Sequence, residues 1–159
     1  NVYGLRTCAL RLTNTYGPRM RIKDARQTFL GVWVRLVVEG QPFDVWGGDQ
    51  LRDFTYVDDA VDAFLLAASQ PAAEGQVFNL GGDCVISLVD LAALLLEVNG
   101  GGAYNVQEFP AERKRIDIGD YYADDRLIRK SLGWMPSTSL RAGLATTLAY
   151  YRANLANYH

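Results

Sequence analysis

Three sets of polar residues stand where a chain of this kind could hold an anion. Arg52 follows the turn Gly47-Gly48-Asp49, and a side chain just past a glycine-rich turn can reach into a cleft. Its guanidinium is a rigid, permanently charged fork whose N–H groups match phosphate oxygens. The neighbouring Asp53 offers the plain alternative, an ion pair within the chain. Asn14 closes a short apolar stretch and opens Asn14-Thr15-Tyr16-Gly17-Pro18. Strand ends are where open α/β sheets present groups to ligands, although Asn also initiates turns. The basic run Arg113-Lys114-Arg115 is either a further phosphate contact or a solvated loop, and Arg19 either lines a cleft or caps the turn beside it.

Other chemistries are disfavoured by what is missing. His159 is the single histidine of 159 residues, which argues against a Ser-His-Asp triad, a histidine-rich zinc site or ordinary histidine acid–base work. Cys8 and Cys84 lie too far apart in the chain to suggest a disulfide framework or a metal cluster, a usage that fits a reducing cytoplasm. A net charge of -2 and a pI near 5.3 argue against a nucleic-acid partner. No apolar run approaches the ~20 residues that span a bilayer. The length suits one globular domain with a sizeable core.

The elements that must position these groups read as alternating strands and helices. Thr7 to Leu12 has strand character and ends in the turn-forming Asn14–Pro18 stretch. Between Ala25 and Glu39 the apolar Phe29, Val32, Trp33, Leu36 and Val37 recur at helical spacing, and Gly40 stops the helix. Strands are expected at Phe43–Trp46, Asp53–Tyr56, Gln76–Leu80 and Tyr104–Phe109. Helices are expected over Val57–Ser69, with Asp58 and Asp59 complementing its dipole, over Leu88–Val98 behind a Ser87 cap, over Asp125–Leu132, and from Ser139 towards Ala156. Trp46, Tyr56, Phe64 and Phe78 read as core, and Tyr150-Tyr151 as a helix face.

Four stretches carry a resemblance. Leu10 to Arg19 matches R-x-x-N-x-Y-G-P-R; Val45 to Asp59 matches G-x-G-x-Q-x-R-D-F-x-Y-V-x-D, one residue short in the turn; Phe78-Asn79-Leu80-Gly81 matches Y-N-I-G; and Leu132-Gly133-Trp134-Met135-Pro136 precedes a closing helix. In this order they resemble the extended short-chain dehydrogenase/reductase family, the NAD-dependent nucleotide-sugar epimerases, dehydratases and decarboxylases. The resemblance implies a small mixed α/β substrate-binding domain of an extended Rossmann-type enzyme, spanning residues 1–159. Residues 1–14 would be a leftover strand of a dinucleotide-binding domain that this chain lacks. By the same resemblance Arg52 binds the diphosphate, and the Asn14 amide bonds the sugar-diphosphate. One of Arg113, Lys114 and Arg115 touches phosphate or ribose; the Asp117–Asp124 spacing puts Lys114 in the family's Arg position. Phe43 to Trp46, with Phe43 and Val45 as site residues, shape a pocket for the base, partly through backbone groups.

The family's chemistry rests on a Tyr and a Lys four residues later, and on a G-x-x-G-x-x-G fingerprint for NAD. None of the nine Tyr has a Lys at that spacing, and no such glycine pattern occurs. The expectation is therefore that no catalytic, cofactor-binding or metal-binding residue lies in this chain. It opens at Asn1 without Met, as if cut from something longer, and is expected to be inactive alone. In the parent, hydride transfer to NAD would give a keto-sugar that is then epimerised, dehydrated or decarboxylated, the last as in UDP-glucuronate decarboxylase. A non-catalytic nucleotide-sugar-binding module and a plain scaffold remain open. A strand at Thr7–Leu12 without neighbours leaves unpaired N–H and C=O groups, so a substitute partner is expected, such as another copy of the chain.

Overall fold

The computed structural model describes residues 3–25, 28–110, 114 and 117–158, and in them short strands alternate with helices. In chain order these are β1 (Ala9–Leu12), β2 (Asn14–Tyr16), α1 (Phe29–Val38), β3 (Phe43–Trp46), β4 (Leu51–Tyr56), α2 (Val57–Ser69), β5 (Val77–Leu80), β6 (Val85–Ser87), α3 (Leu88–Asn99), β7 (Tyr104–Gln107), α4 (Arg126–Leu132) and α5 (Leu140–Asn154). Single 3-10 turns occupy Pro71–Ala73 and Leu155–Tyr158. The α/β class expected from the sequence is the one observed.

Pairing is mainly parallel. β1, expected to lack neighbours, instead runs parallel to β5 of the same chain, and β3 runs parallel to β7. β4 sits between β2, which is parallel, and β6, which is antiparallel. β2 was expected to be a turn. Its pairing with β4, which sets Asn14 beside Phe54 and Tyr16 beside Tyr56, overrides the local turn signal, and that signal is realised only beyond Tyr16. β6 also escaped the sequence reading, because three residues carry too little alternation to show.

Helix ends follow the side chains that can satisfy them. The Thr28 hydroxyl accepts the Leu30 N–H at 3.3 Å, which starts α1 at Phe29 and not at Ala25. Ser87 caps α3 through the Asp90 N–H, and its hydroxyl in turn donates to the Asp90 carboxylate. Ser139 caps α5 through Ala142. Asp59 stands in the first turn of α2 as expected and has a further role. It is buried, with Oδ1 accepting from the Ser137 N–H and hydroxyl and Oδ2 from the Thr138 N–H. The indole N–H of Trp134 donates to the Asp59 carbonyl at 2.8 Å. This knot ties the start of α2 to the stretch that leads into α5.

Two apolar clusters form the core. The larger gathers α1, α3 and α5 around Tyr16, Trp33, Phe54, Leu91, Leu144 and Tyr151. The smaller joins β5, α2 and α4 through Phe78, Leu80, Ile128, Leu132 and Trp134. Tyr56 and Phe78 are core as expected, whereas Phe64 is 51% exposed. Phe64 lies on the outer face of α2 with Val61 and Leu65, both also exposed. On α5, Tyr151 faces inward and its hydroxyl donates to the Met20 carbonyl.

Candidate functional site

A cavity of about 180 Å³ opens where the end of β3, the start of β4 and the first turns of α1 and α3 converge. Its wall is aromatic and apolar, from Phe29, Trp33, Trp46, Leu88 and Phe109, with Asp44, Gln50, Arg52 and Asp117 as the polar groups. Apolar walls with a few placed polar groups are the usual make-up of a small-molecule site. Trp46 and Phe109 meet edge to face with centroids 6.2 Å apart. Gln50 braces the turn below them: its Oε1 accepts the Gly48 N–H at 2.8 Å and its amide donates to the Trp46 carbonyl.

Arg52 is the charged group of this wall that is closest to full burial, at 8% exposure. Its Nη1 donates to the carbonyls of Leu51 and Gly119. Its Nη2 lies 3.6 Å from Asp117 Oδ1, too far for a hydrogen bond and close enough for charge attraction. The alternative pairing with Asp53 is not the one formed. Asp53 instead accepts the N–H groups of Gly82 and Ala123. One side of the guanidinium is thus held by carbonyls, while the other meets only a long-range carboxylate among the described residues.

The other expected site residues divide. Asn14 pairs with Phe54, one position past the Arg52 neighbour Asp53, but its amide donates to the Asp53 carbonyl at 3.0 Å and does not line the cavity. Phe43 and Val45 are buried in the core, at 2% and 0% exposure. Strand alternation explains the correction: Phe43 turns inward to stack on Trp33 and Tyr104, which leaves Asp44 and Trp46 to face the cavity. Trp46, expected to be core, is therefore wall. Arg19 is exposed, adopts φ 69°, and stands beside Tyr151 and Tyr158, away from the cavity. Lys114 is exposed, with its N–H on the Pro110 carbonyl; Arg113 and Arg115 lie outside the described residues. The sequence reading missed Phe29, Trp33, Phe109 and the placement of Asp117. Only Asp117 had a signal, since it stands in the motif that was used to place Lys114.

Among the described residues no group of three or more His, Cys, Asp and Glu is placed to hold a metal ion. The tight strand-to-helix turn from β4 into α2 carries Asp58 and Asp59 in its first helical turn, and these would repel the pyrophosphate that such turns otherwise bind. Burial pushes the hydroxyl of the motif tyrosine, Tyr16, far above its ordinary value, with nearby Asp83 adding to the shift, and it donates to the Leu140 carbonyl. A larger cavity, about 430 Å³, lies between β1 and α2, but its charged residues Arg6 and Glu74 are both exposed. No helix among the described residues is long and apolar enough to cross a membrane.

With this geometry in place, comparison with known proteins gives a consistent picture. The dTDP-glucose 4,6-dehydratase of Streptomyces griseus is 32% identical over 94% of this chain and 44% of its own length. The UDP-glucose 4-epimerase of Mycolicibacterium smegmatis is 31% identical over 96% and 47%, and UDP-glucuronic acid decarboxylase 1 of Xenopus tropicalis 31% identical over 96% and 35%. The chain thus spans less than half the length of these relatives. The crystal structure of UDP-glucose 4-epimerase from Thermotoga maritima with UDP-glucose superposes with a TM-score of 0.83, at 30% identity, over 96% of this chain and 48% of that one. The family model described as "NAD dependent epimerase/dehydratase family" matches residues 1–81, the half that carries β1, β2, β4 and the Arg52 turn. The chain belongs to the NAD-dependent epimerase/dehydratase family.

Proposed function

We propose that the Arg52 cavity takes the nucleoside-diphosphate part of a nucleotide-sugar, and that the chain is the substrate-binding portion of an NAD-dependent epimerase, dehydratase or decarboxylase. One observation carries this reading: a guanidinium at 8% exposure, beside an aromatic wall, that is hydrogen-bonded on one side and, among the described residues, meets only the Asp117 carboxylate at 3.6 Å on the other. A pyrophosphate on that second side would add negative charge and hydrogen-bond acceptors within reach of Nη2. In this reading Arg52 Nη2 donates to a phosphate oxygen, and the base packs near Trp46 and Phe109. Asp44, whose carboxylate already accepts from Asn105 and Gln107, borders the base end. Asn14 would join only by giving up its bond to the Asp53 carbonyl, and Lys114, which does not line the wall, would add charge from outside it.

Hydride and proton transfer would come from a further stretch of polypeptide that supplies NAD and the Tyr/Lys pair, docked against β1 and the outer face of α2. Among the described residues β1 has a strand partner on one side only. The chain alone is expected to give no NADH when mixed with NAD and a nucleotide-sugar. A second reading, a non-catalytic nucleotide-sugar-binding module, draws support from the same lack of a Y-x-x-x-K spacing. Turnover by the natural full-length product separates the two. The binding itself is tested by calorimetry with UDP and dTDP, comparing wild type with Arg52→Ala. Loss of a charge-assisted bond worth about 1.5–3 kcal/mol predicts roughly ten- to hundredfold weaker binding. Equal affinities, or no binding at all, contradict the proposal.

A further inference from the structure

Asp117 lines the Arg52 cavity, and four bonds lay the strap that it opens, residues 117–123, along the start of β4. The Asp120 carboxylate accepts the Leu51 N–H at 2.9 Å, and the Tyr121 N–H donates to the Leu51 carbonyl at 2.9 Å. The Gly119 carbonyl accepts from Arg52 Nη1, and the Ala123 N–H donates to Asp53 Oδ2 at 3.1 Å. The last of these stands apart, because Asp53 is 2% exposed and does not line the cavity. The same oxygen accepts the Gly82 N–H at 3.3 Å, and the Asp53 carbonyl accepts the Asn14 amide at 3.0 Å. One residue therefore holds the cavity strap, the turn after β5 and the start of β2. Gly82 is required for this arrangement, since a Cβ there would meet the Phe54 carbonyl oxygen at 2.3 Å.

The surroundings of Asp53 are not those of a group kept for packing. Its Oδ1 is buried without a hydrogen-bond partner among the described residues, as are the hydroxyls of Thr55 and of its register partner Thr15. Buried polar atoms are nearly always paired, and departures from that rule gather where a sequence serves function as well as stability. Directly before Asp53 in β4 stands Arg52, whose orientation depends on the Gly119 carbonyl that the strap delivers.

We propose that Asp53 is a positioning residue for anion binding at Arg52: through the Ala123 and Gly82 amides its carboxylate fixes how closely residues 117–123 lie on β4, and hence where the guanidinium points. It touches no ligand itself. The assignment rests on reading the cavity as a nucleoside-diphosphate site. Replacing the carboxylate by an amide exchanges charge-assisted bonds for weaker neutral ones, and lengthening it by one methylene pushes the strap outward.

UDP titrations of wild type, Asp53→Asn, Asp53→Glu and Asp59→Asn, joined to amide hydrogen exchange, test this. Asp59 is the control, since it is equally buried at 2% and also accepts backbone amides, but it does so away from the cavity. The expected result is UDP binding about three- to tenfold weaker in both Asp53 variants, with faster exchange at Tyr121 and Ala123. In Asp59→Asn the unfolding temperature falls while affinity stays at the wild-type value. Wild-type affinity in either folded Asp53 variant overturns the assignment, as does an equal loss in Asp59→Asn. A wild-type chain that does not bind UDP defeats the nucleotide reading instead, and the assignment falls with it.

Discussion

At the scale of single residues, the site depends on which atoms are already committed. Arg52 is held by carbonyls on one side and faces Asp117 at 3.6 Å on the other, whereas Asn14 has spent its amide on β4. Both residues stand out as site candidates in the sequence, but each has an ordinary structural alternative, and of the two only Arg52 lines the cavity. Their partners were not legible: Asp117 and Gly119 reach Arg52 only through the fold, from far along the chain. Cys84 gives a test of local electrostatics that is independent of any ligand. Partial burial, followed by the adjacent Asp83 carboxylate, pushes its thiol up to about 11. A raised thiol value means that the neutral form is favoured in the fold. The contribution is intact below the unfolded value of about 8.5 and is lost as the pH climbs towards 11. Alkylation of Cys84, followed by peptide mass spectrometry, should be slow at pH 8 and rise steeply only above about pH 10; reaction at the rate of free cysteine at pH 8 would contradict the raised value.

At the scale of elements, the longer helices were legible from apolar periodicity and capping residues, and β2 and β6 were not. Three-residue strands owe their existence to pairing with β4, a partner that local sequence does not name. Strand β3 was found, but four residues do not say which face is inward, so the inward pair Phe43 and Val45 was exchanged for the wall residues Asp44 and Trp46. Phe64 was misassigned for a related reason: α2 has apolar residues on two sides, and only one of them meets the core. Contact between α5 and β2 is a further constraint at this scale. A Cβ on Gly143 would meet the Tyr16 hydroxyl at 2.1 Å, and that hydroxyl is fixed by its bond to the Leu140 carbonyl. Gly143→Ala gains about 1 kcal/mol of helix propensity but overpacks a rigid contact, at a cost of about 1–3 kcal/mol or more. The net result expected in thermal unfolding is a fall of a few degrees. A rise in unfolding temperature would show that β2 and α5 are not so close.

At the scale of the whole molecule, two apolar clusters share one chain. The larger, around α1, α3 and α5, shapes the Arg52 cavity, while the smaller joins β1, β5 and α4 to the inner face of α2. The smaller is where a further domain would dock in the proposed full-length enzyme. With that edge uncovered, self-association through β1 is expected, to be seen as concentration-dependent elution and sedimentation; a strict monomer at all concentrations with β1 protected from exchange would contradict it. The α/β class and the family were legible in the sequence, because motif order survives without knowledge of the fold. The division into two clusters was not, since it depends on contacts between distant segments. Whether Arg52 holds a pyrophosphate is decided by a crystal structure of the chain grown with UDP. The prediction is a phosphate oxygen within about 3 Å of an Arg52 nitrogen, with the base against Trp46 and Phe109. UDP bound elsewhere, or bound here with its phosphates turned away from Arg52, would contradict it.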